Sequence, residues 1–279
     1  MGRIITICNQ KGGVGKTTTS VNLAACLAAA EKKTLLIDID PQANATTGVG
    51  IDKTNVTKSV YQSLVGNQPI TDTIQKTEIP FLDVIPSHYS LVGAEIELVE
   101  IVSRETKLRE KLQLIKNNYE YIIIDCPPSL GLLTLNAMVA SDGVLIPVQC
   151  EYYAMEGLVD LRRTIQMVKS RINPNLNIDG LVLTMFDPRN RLAHQVAEEI
   201  RKYFGASVFN VMIPRNVRLS EAPSFGKPII LYDVKSRGSL SYFELAKEVL
   251  AKNYQVRMPT NLGSKGEEYG TTQRIGQES

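Results

Sequence analysis

Lys11-Gly12-Gly13-Val14-Gly15-Lys16-Thr17-Thr18 sits between a short apolar run and an Ala-rich one, and the fold class follows from that placement. Before it, Ile4-Ile5-Thr6-Ile7-Cys8 reads as a strand buried on both faces. After it, residues 19–30 are rich in Ala and Leu and read as a helix. Strand, glycine-rich turn and helix is the context a phosphate-binding loop needs. Glycines let backbone N–H groups turn inward and approach phosphate closely. The helix N-terminus adds partial positive charge. Lys16 can reach the β- and γ-phosphate oxygens of a nucleotide, and the Thr17 hydroxyl can ligate Mg²⁺. In the usual G-x-x-x-x-G-K-[ST] spacing the first glycine would fall at Gln10, and a second lysine, Lys11, stands inside the loop instead.

Two more strand ends carry acid. Lys33-Thr34-Leu35-Leu36-Ile37 runs into Asp38-Ile39-Asp40-Pro41-Gln42. Tyr121-Ile122-Ile123-Ile124 runs into Asp125, a Walker B pattern whose aspartate is expected to hold Mg²⁺ through water. Cys126-Pro127-Pro128-Ser129 then makes a rigid exit from that strand. Carboxylates at the C-terminal ends of parallel strands lie where ligands bind in open α/β sheets. Asp38 and Asp40 beside a phosphate loop point to work on Mg²⁺ or on an attacking water.

Further apolar runs at 81–86, 143–148, 178–186 and 208–213 read as strands. Segments 59–65, 104–115, 132–139, 155–171, 195–204 and 240–252 read as helices, and 94–102 as a packed connector or short helix. Near-continuous apolar strands alternating with helices predict a single doubly wound α/β domain, mostly parallel, with helices on both faces. Its extent is residues 1–254, and the polar stretch 255–279 reads as a flexible tail. In such a sheet residues 9–17, 38–42 and 125–129 converge on one edge, and that convergence makes nucleotide hydrolysis the leading reading.

Composition narrows the rest. The 279 residues are 43% hydrophobic and carry a net charge of +2, so a nucleic-acid partner must come from local clustering of cations. No apolar run approaches the roughly 18–20 residues of a membrane helix. The chain enters a strand almost at Met1, which predicts no signal peptide. Cys8, Cys26, Cys126 and Cys150 lack C-x-x-C spacing and sit in apolar stretches, as buried thiols do. The expectation is a cytoplasmic protein.

The K-G-G-x-G-K-[ST] loop resembles the deviant Walker A motif of the ParA/MinD family of P-loop ATPases. Asp38-Ile39-Asp40-Pro41-Gln42 resembles that family's first switch, and Asp125-Cys126-Pro127-Pro128 its second. With Ile213-Pro214-Arg215-Asn216-Val217-Arg218-Leu219-Ser220-Glu221-Ala222-Pro223, these motifs match the chromosome-partitioning, Soj-like branch over residues 2 to 252. The resemblance implies an ATP- and Mg²⁺-dependent homodimer with two nucleotides sandwiched between protomers. It implies weak ATP hydrolysis, stimulated by a ParB-type centromere-binding partner, and a nucleoid-associated protein. It assigns nucleotide contacts to residues Gly12, Gly13, Val14, Gly15, Lys16, Thr17 and Thr18. Lys11 would act across the dimer and Asp40 on the water. Asp38 would help hold the metal shell of Thr17 and Asp125, while Pro214, Asn216 and Phe186 would lie at the adenine. It matches Arg189 and Arg218, with Lys227 and Arg237 as weaker additions, to sequence-independent binding of double-stranded DNA. Control of replication initiation is compatible with the same cycle.

Two rivals share the loop. A MinD-type membrane-recruited division ATPase would end in a basic amphipathic helix, whereas the tail holds Glu267-Glu268 and several glycines. A metal-cluster scaffold would need bridging cysteines, and Cys126 falls too close to the expected Mg²⁺ site.

Overall fold

The apolar runs become one eight-stranded sheet. The computed structural model describes residues 2–66 and 68–257. Its strands are β1 (Arg3–Ile7), β2 (Thr34–Asp38), β3 (Gln75–Lys76), β4 (Leu82–Ile85), β5 (Tyr121–Asp125), β6 (Gly143–Gln149), β7 (Asn177–Phe186) and β8 (Val208–Pro214). They lie in the order β3-β4-β2-β5-β1-β6-β7-β8. Every neighbouring pair is parallel except the edge pair β3–β4. The two-residue β3 was not legible in the sequence, because so short a pairing carries no period.

The helices are α1 (Lys16–Ala29), α2 (Asn44–Gly48), α3 (Val60–Leu64), α4 (Leu91–Glu97), α5 (Lys107–Gln113), α6 (Leu132–Ala140), α7 (Ala154–Arg171), α8 (Arg191–Phe204), α9 (Val217–Glu221), α10 (Ile229–Tyr232) and α11 (Arg237–Arg257). Side chains alternate along each strand, so the sheet feeds two cores. Ile4, Leu35, Ile37, Ile122 and Ile124 pack with residues of α3 to α8 on one face. Ile5, Ile7, Leu36 and Ile123 pack with α1, α2, α9, α10 and α11 on the other. Each such fully buried side chain contributes roughly 1.5–3 kcal/mol of apolar transfer. Double coverage is why the strands read as unbroken apolar runs.

Eleven of the fourteen α1 residues are buried, which makes this helix a central post between sheet and outer helices. It starts at Lys16 itself, earlier than its apolar pattern indicated, because the phosphate loop feeds straight into it. The closing helix also runs longer than expected, so residues 255–257 belong to α11. The tail expected beyond it, residues 258–279, lies outside the described residues. Three short helices, α2, α9 and α10, were not foreseen; none is long enough to show a periodic face.

Between β5 and β6 lies β1, with β2 and β4 on one side and β6, β7 and β8 on the other. The loop after β1 therefore opens where the winding direction reverses, the position at which open α/β sheets bind ligands.

Candidate nucleotide site

Register brings the three polar strand ends together. Ile7 and Asp38 each pair with Asp125 across neighbouring strands. The β1–α1 loop, the β2 end and the β5 end therefore share one edge, as expected from the sequence.

The loop is shaped by its glycines and braced from outside. Gly13 and Gly15 have φ of 74° and 86°, in the left-handed region that favours glycine. Gly15 caps α1 with no side-chain hydrogen bond, and no acid occupies the first turn, so the helix presents its N–H groups to an anion. Asn9 donates from Nδ2 to the Pro147 carbonyl at 2.8 Å and accepts from the Lys11 N–H at 3.1 Å. Thr184 donates to the Val14 carbonyl at 2.8 Å. Neighbouring strands thus hold both halves of the loop.

Inside it, Lys16 is only 7% exposed and donates to the Lys11 carbonyl at 3.1 Å. Burial lowers its pKa, and the charges of Asp125 and Asp40 oppose that shift. Thr17 Oγ1 donates to Asp125 Oδ2 at 2.8 Å, and Ser20 Oγ donates to Asp125 Oδ1 at 2.7 Å. Asp38 accepts from the Asp40 N–H at 3.1 Å and from the Thr46 N–H and hydroxyl at 2.8 Å each. It is fully buried, and its two oxygens pin the loop that carries Asp40. Asp40 accepts from the Gln42 N–H at 2.9 Å, while its carbonyl accepts from Ser87 Oγ at 2.5 Å. Burial pushes Asp38 up to about 6. Burial and then the Asp38 charge push Asp125 up to about 8.

Two carboxylates, Asp125 and Asp40, near one ammonium and a threonine hydroxyl suit a hard divalent cation with oxygen ligands. Among the described residues no group of three or more His, Cys, Asp or Glu is placed to hold a metal by itself. Mg²⁺ of the kind that shares its shell with substrate phosphates fits this donor set. Cys8, Cys26, Cys126 and Cys150 are free and buried. Burial raises Cys8 and Cys26 to about 12, Cys150 to about 11, and Cys126 far above the ordinary value.

A cavity of about 550 Å³ opens from the loop. Its walls include Gly12, Gly13, Gly15, Lys16, Thr17, Thr18 and Asp40 at one end, and Pro214 and Asn216 at the other. Asn216 Oδ1 also caps α9 through the Leu219 N–H at 3.3 Å. Phe186, expected near the adenine, pairs with Pro214 across the β7–β8 register. Its ring packs in the core with α8, edge-on to His194 at 5.0 Å, and does not line the cavity. Met185, with φ of 49°, breaks the alternation of β7, so Thr184 and Met185 face the cavity and Phe186 turns away. Thr184, Met185, Gln42, Asn44, Arg215 and Tyr242 are wall residues that the sequence reading did not single out. No local pattern marks Thr184; Arg215 lies inside a motif that had been quoted.

The outer cations are disposed differently. Lys11 is outside the cavity wall and ion-pairs Glu151 of its own chain, both half-exposed. Arg189 forks onto Asp187 at 3.0 and 2.9 Å. Arg218 pairs with Glu221 at 3.0 Å and Asp233 at 3.5 Å. Lys227 and Arg237 are exposed. Among the described residues no helix is long and apolar enough to cross a membrane.

The sequence profile of the family described as AAA domain matches residues 2–178. The chain is 60% identical over 251 residues to the sporulation initiation inhibitor protein Soj of Bacillus subtilis, covering 90% of this chain and 99% of that one. It is 57% identical over 253 residues to the chromosome partitioning protein ParA of Myxococcus xanthus, covering 91% and 89%. The fold is similar to that of a cobyrinic acid a,c-diamide synthase from Mycobacterium smegmatis crystallised with ADP and magnesium, with a TM-score of 0.81 at 32% identity over 92% of this chain and 97% of that one. The chain belongs to the ParA/Soj branch of the ParA/MinD family of P-loop ATPases.

Proposed function

We propose that this ATPase is a dimerisation switch for DNA partitioning. ATP brings two copies together, the dimer binds duplex DNA without sequence preference, and slow hydrolysis resets it. In this reading the protein works on the nucleoid with a ParB-type partner, moves a chromosome or plasmid, and can serve replication control through the same cycle. The observation that carries the hydrolytic half is the meeting of Lys16, the Thr17–Asp125 pair and Asp40 at one cavity. The names of its relatives support the partitioning half.

Chemically, water attacks the γ-phosphorus in line. Asp40 orients that water, and Asp38 keeps the Asp40 loop in place. Lys16 and the N–H groups of residues 12–17 stabilise charge on the phosphate oxygens. Thr17 and, behind it, Asp125 would hold Mg²⁺, which when bound neutralises phosphate charge. Lys11 leaves Glu151 and reaches the partner's nucleotide, a role similar to that of an arginine finger. Part of the site is then assembled only in the dimer, which makes the reaction slow in a lone protomer.

The test is a salt titration of binding to duplex DNA of arbitrary sequence, with ATP or ADP, in the Asp40→Ala chain to block turnover. Tight, salt-sensitive binding with ATP alone, lost in Arg218→Glu, is the expected result. ATP-induced dimers that ignore DNA at low salt would refute the DNA half.

A further inference from the structure

Beside the nucleotide cavity lies a second one of about 440 Å³, whose walls include Thr18, Asn44, Lys53 and Lys227. No carboxylate lines it. Asp52, the acid next to Lys53, is turned onto Thr54 and Asn55. Lys53 donates to the Gln42 carbonyl at 3.0 Å, which leaves two of its three ammonium protons for another acceptor. Among the described residues the Lys227 ammonium, the Asn44 amide and the Thr18 hydroxyl have no hydrogen-bond partner. Two cations lining one cleft without a carboxylate, in company with neutral donors, make an anion site.

The two lysines come from different segments that are locked together. A Cβ on Gly226 would meet the Gly50 Cα at 3.3 Å, so the chain after α2 and the chain before α10 pack backbone on backbone. Thr17, Thr18, Asn44 and Pro223 are shared with the nucleotide cavity, so the second cleft adjoins it along the first turns of α1. Lys53 also touches the hydrolytic machinery at one remove. It holds Gln42, and the Gln42 N–H holds Asp40 at 2.9 Å.

We propose that Lys53 and Lys227 form one phosphate-binding cleft, which takes a backbone phosphate of bound DNA and couples it to the Asp40 loop. The choice of DNA rests on the function proposed above, because Lys227 follows the α9 segment that carries Arg218. A phosphate seated there draws on the Lys53 ammonium that positions Gln42. DNA occupancy is thereby linked to the loop that orients water.

The test compares the chain with Lys53→Gln, Lys227→Gln and the charge-keeping Lys53→Arg, after thermal melts have established that each folds. Binding of the ATP-loaded dimer to an arbitrary duplex is followed against salt. Each lost phosphate contact lowers the log–log slope by about 0.9, so a Gln variant lowers it by about 1.8 per dimer, and Lys53→Arg restores it. ATP turnover responds to DNA in the parent chain and stops responding in Lys53→Gln. Unchanged slopes in both Gln variants overturn the cleft, and turnover indifferent to DNA in the parent overturns the coupling. If the parent dimer binds no duplex at all, the proposed function fails, and inorganic phosphate titrated into the ADP-loaded chain decides the cleft separately. Amide shifts at Lys53 and Lys227 then retain it with free phosphate as the source, and their absence overturns it.

Discussion

Asp38 and Asp125 engage both carboxylate oxygens with neighbours already in place, whereas Lys11, Arg189 and Arg218 rest on acids that another partner could replace. The first pair is fully buried, tied by Thr46, Thr17 and Ser20, and cannot move without breaking several hydrogen bonds. The second set is solvent-exposed, and exposed pairs of this kind contribute little to stability because water and salt screen them. The floor of the site is built in advance; its rim holds cations on loan. In the function proposed above, the floor binds nucleotide alone, and the chemistry and the DNA surface are completed only when something arrives to take those cations over.

The contrast is broken most sharply at the floor. Lys16→Ala or Asp40→Ala should lower ATP turnover by about 10²–10⁴-fold in a phosphate-release assay. Asp40→Ala should keep ATP-dependent dimers on a sizing column, while Lys16→Ala should lose them. Equal turnover in both variants and parent would mean that the floor is elsewhere.

At the rim, Arg218→Glu should weaken duplex binding at low salt by at least about tenfold while ATP affinity is kept. Arg189→Glu should act in the same direction. If ATP affinity fell in step, these arginines would belong to the nucleotide site.

A pH series sharpens the floor's side. An unfolded aspartate ionises near 4, but burial holds Asp125 up to about 8 in the folded chain. Between those values the folded state binds more protons than the unfolded one, so stability falls as pH rises. Nucleotide-free protein should therefore melt lower at pH 8 than at pH 5, and Asp125→Asn should flatten that slope. A slope that survives the substitution would point to another buried acid.

The smallest effect belongs to the Lys11–Glu151 pair. Glu151→Gln should shift the melting temperature by less than about 4 °C, because an exposed pair is worth little. A larger shift would mean that this part of the rim is as fixed as the floor.

Much of this was legible in the sequence because it is local. The three strand ends are contiguous motifs, and the parallel sheet alone brings them to one edge. Pro214 and Asn216 followed from the family motif. What escaped depends on pairings between distant residues. Thr184 reaches Val14 across 170 positions, and nothing near either one announces it. Phe186 was expected at the adenine from the family resemblance alone, and the positive φ at Met185, which turns its ring toward α8, has no local signature. Glu151, which holds Lys11, and Asp233, the second acid at Arg218, lie in segments whose docking only the tertiary fold determines, whereas Glu221 is a local partner one helical turn from Arg218. Asp38 was read as a metal neighbour; its oxygens prove to be committed to Thr46 and the Asp40 N–H.

The four buried thiols have a practical consequence. With the lowest of them at about 11, fewer than about one thiol in a thousand is ionised near pH 7.5. Maleimides and mild oxidants, which need an accessible thiolate, should pass over the native chain. Leu114, just past the end of α5, is 74% exposed, so Leu114→Cys would carry the sole reactive thiol among the described residues. The unmodified sequence is thus already clean for single-site fluorescent labelling, and the proposed assembly cycle can be looked for without first stripping cysteines from the core.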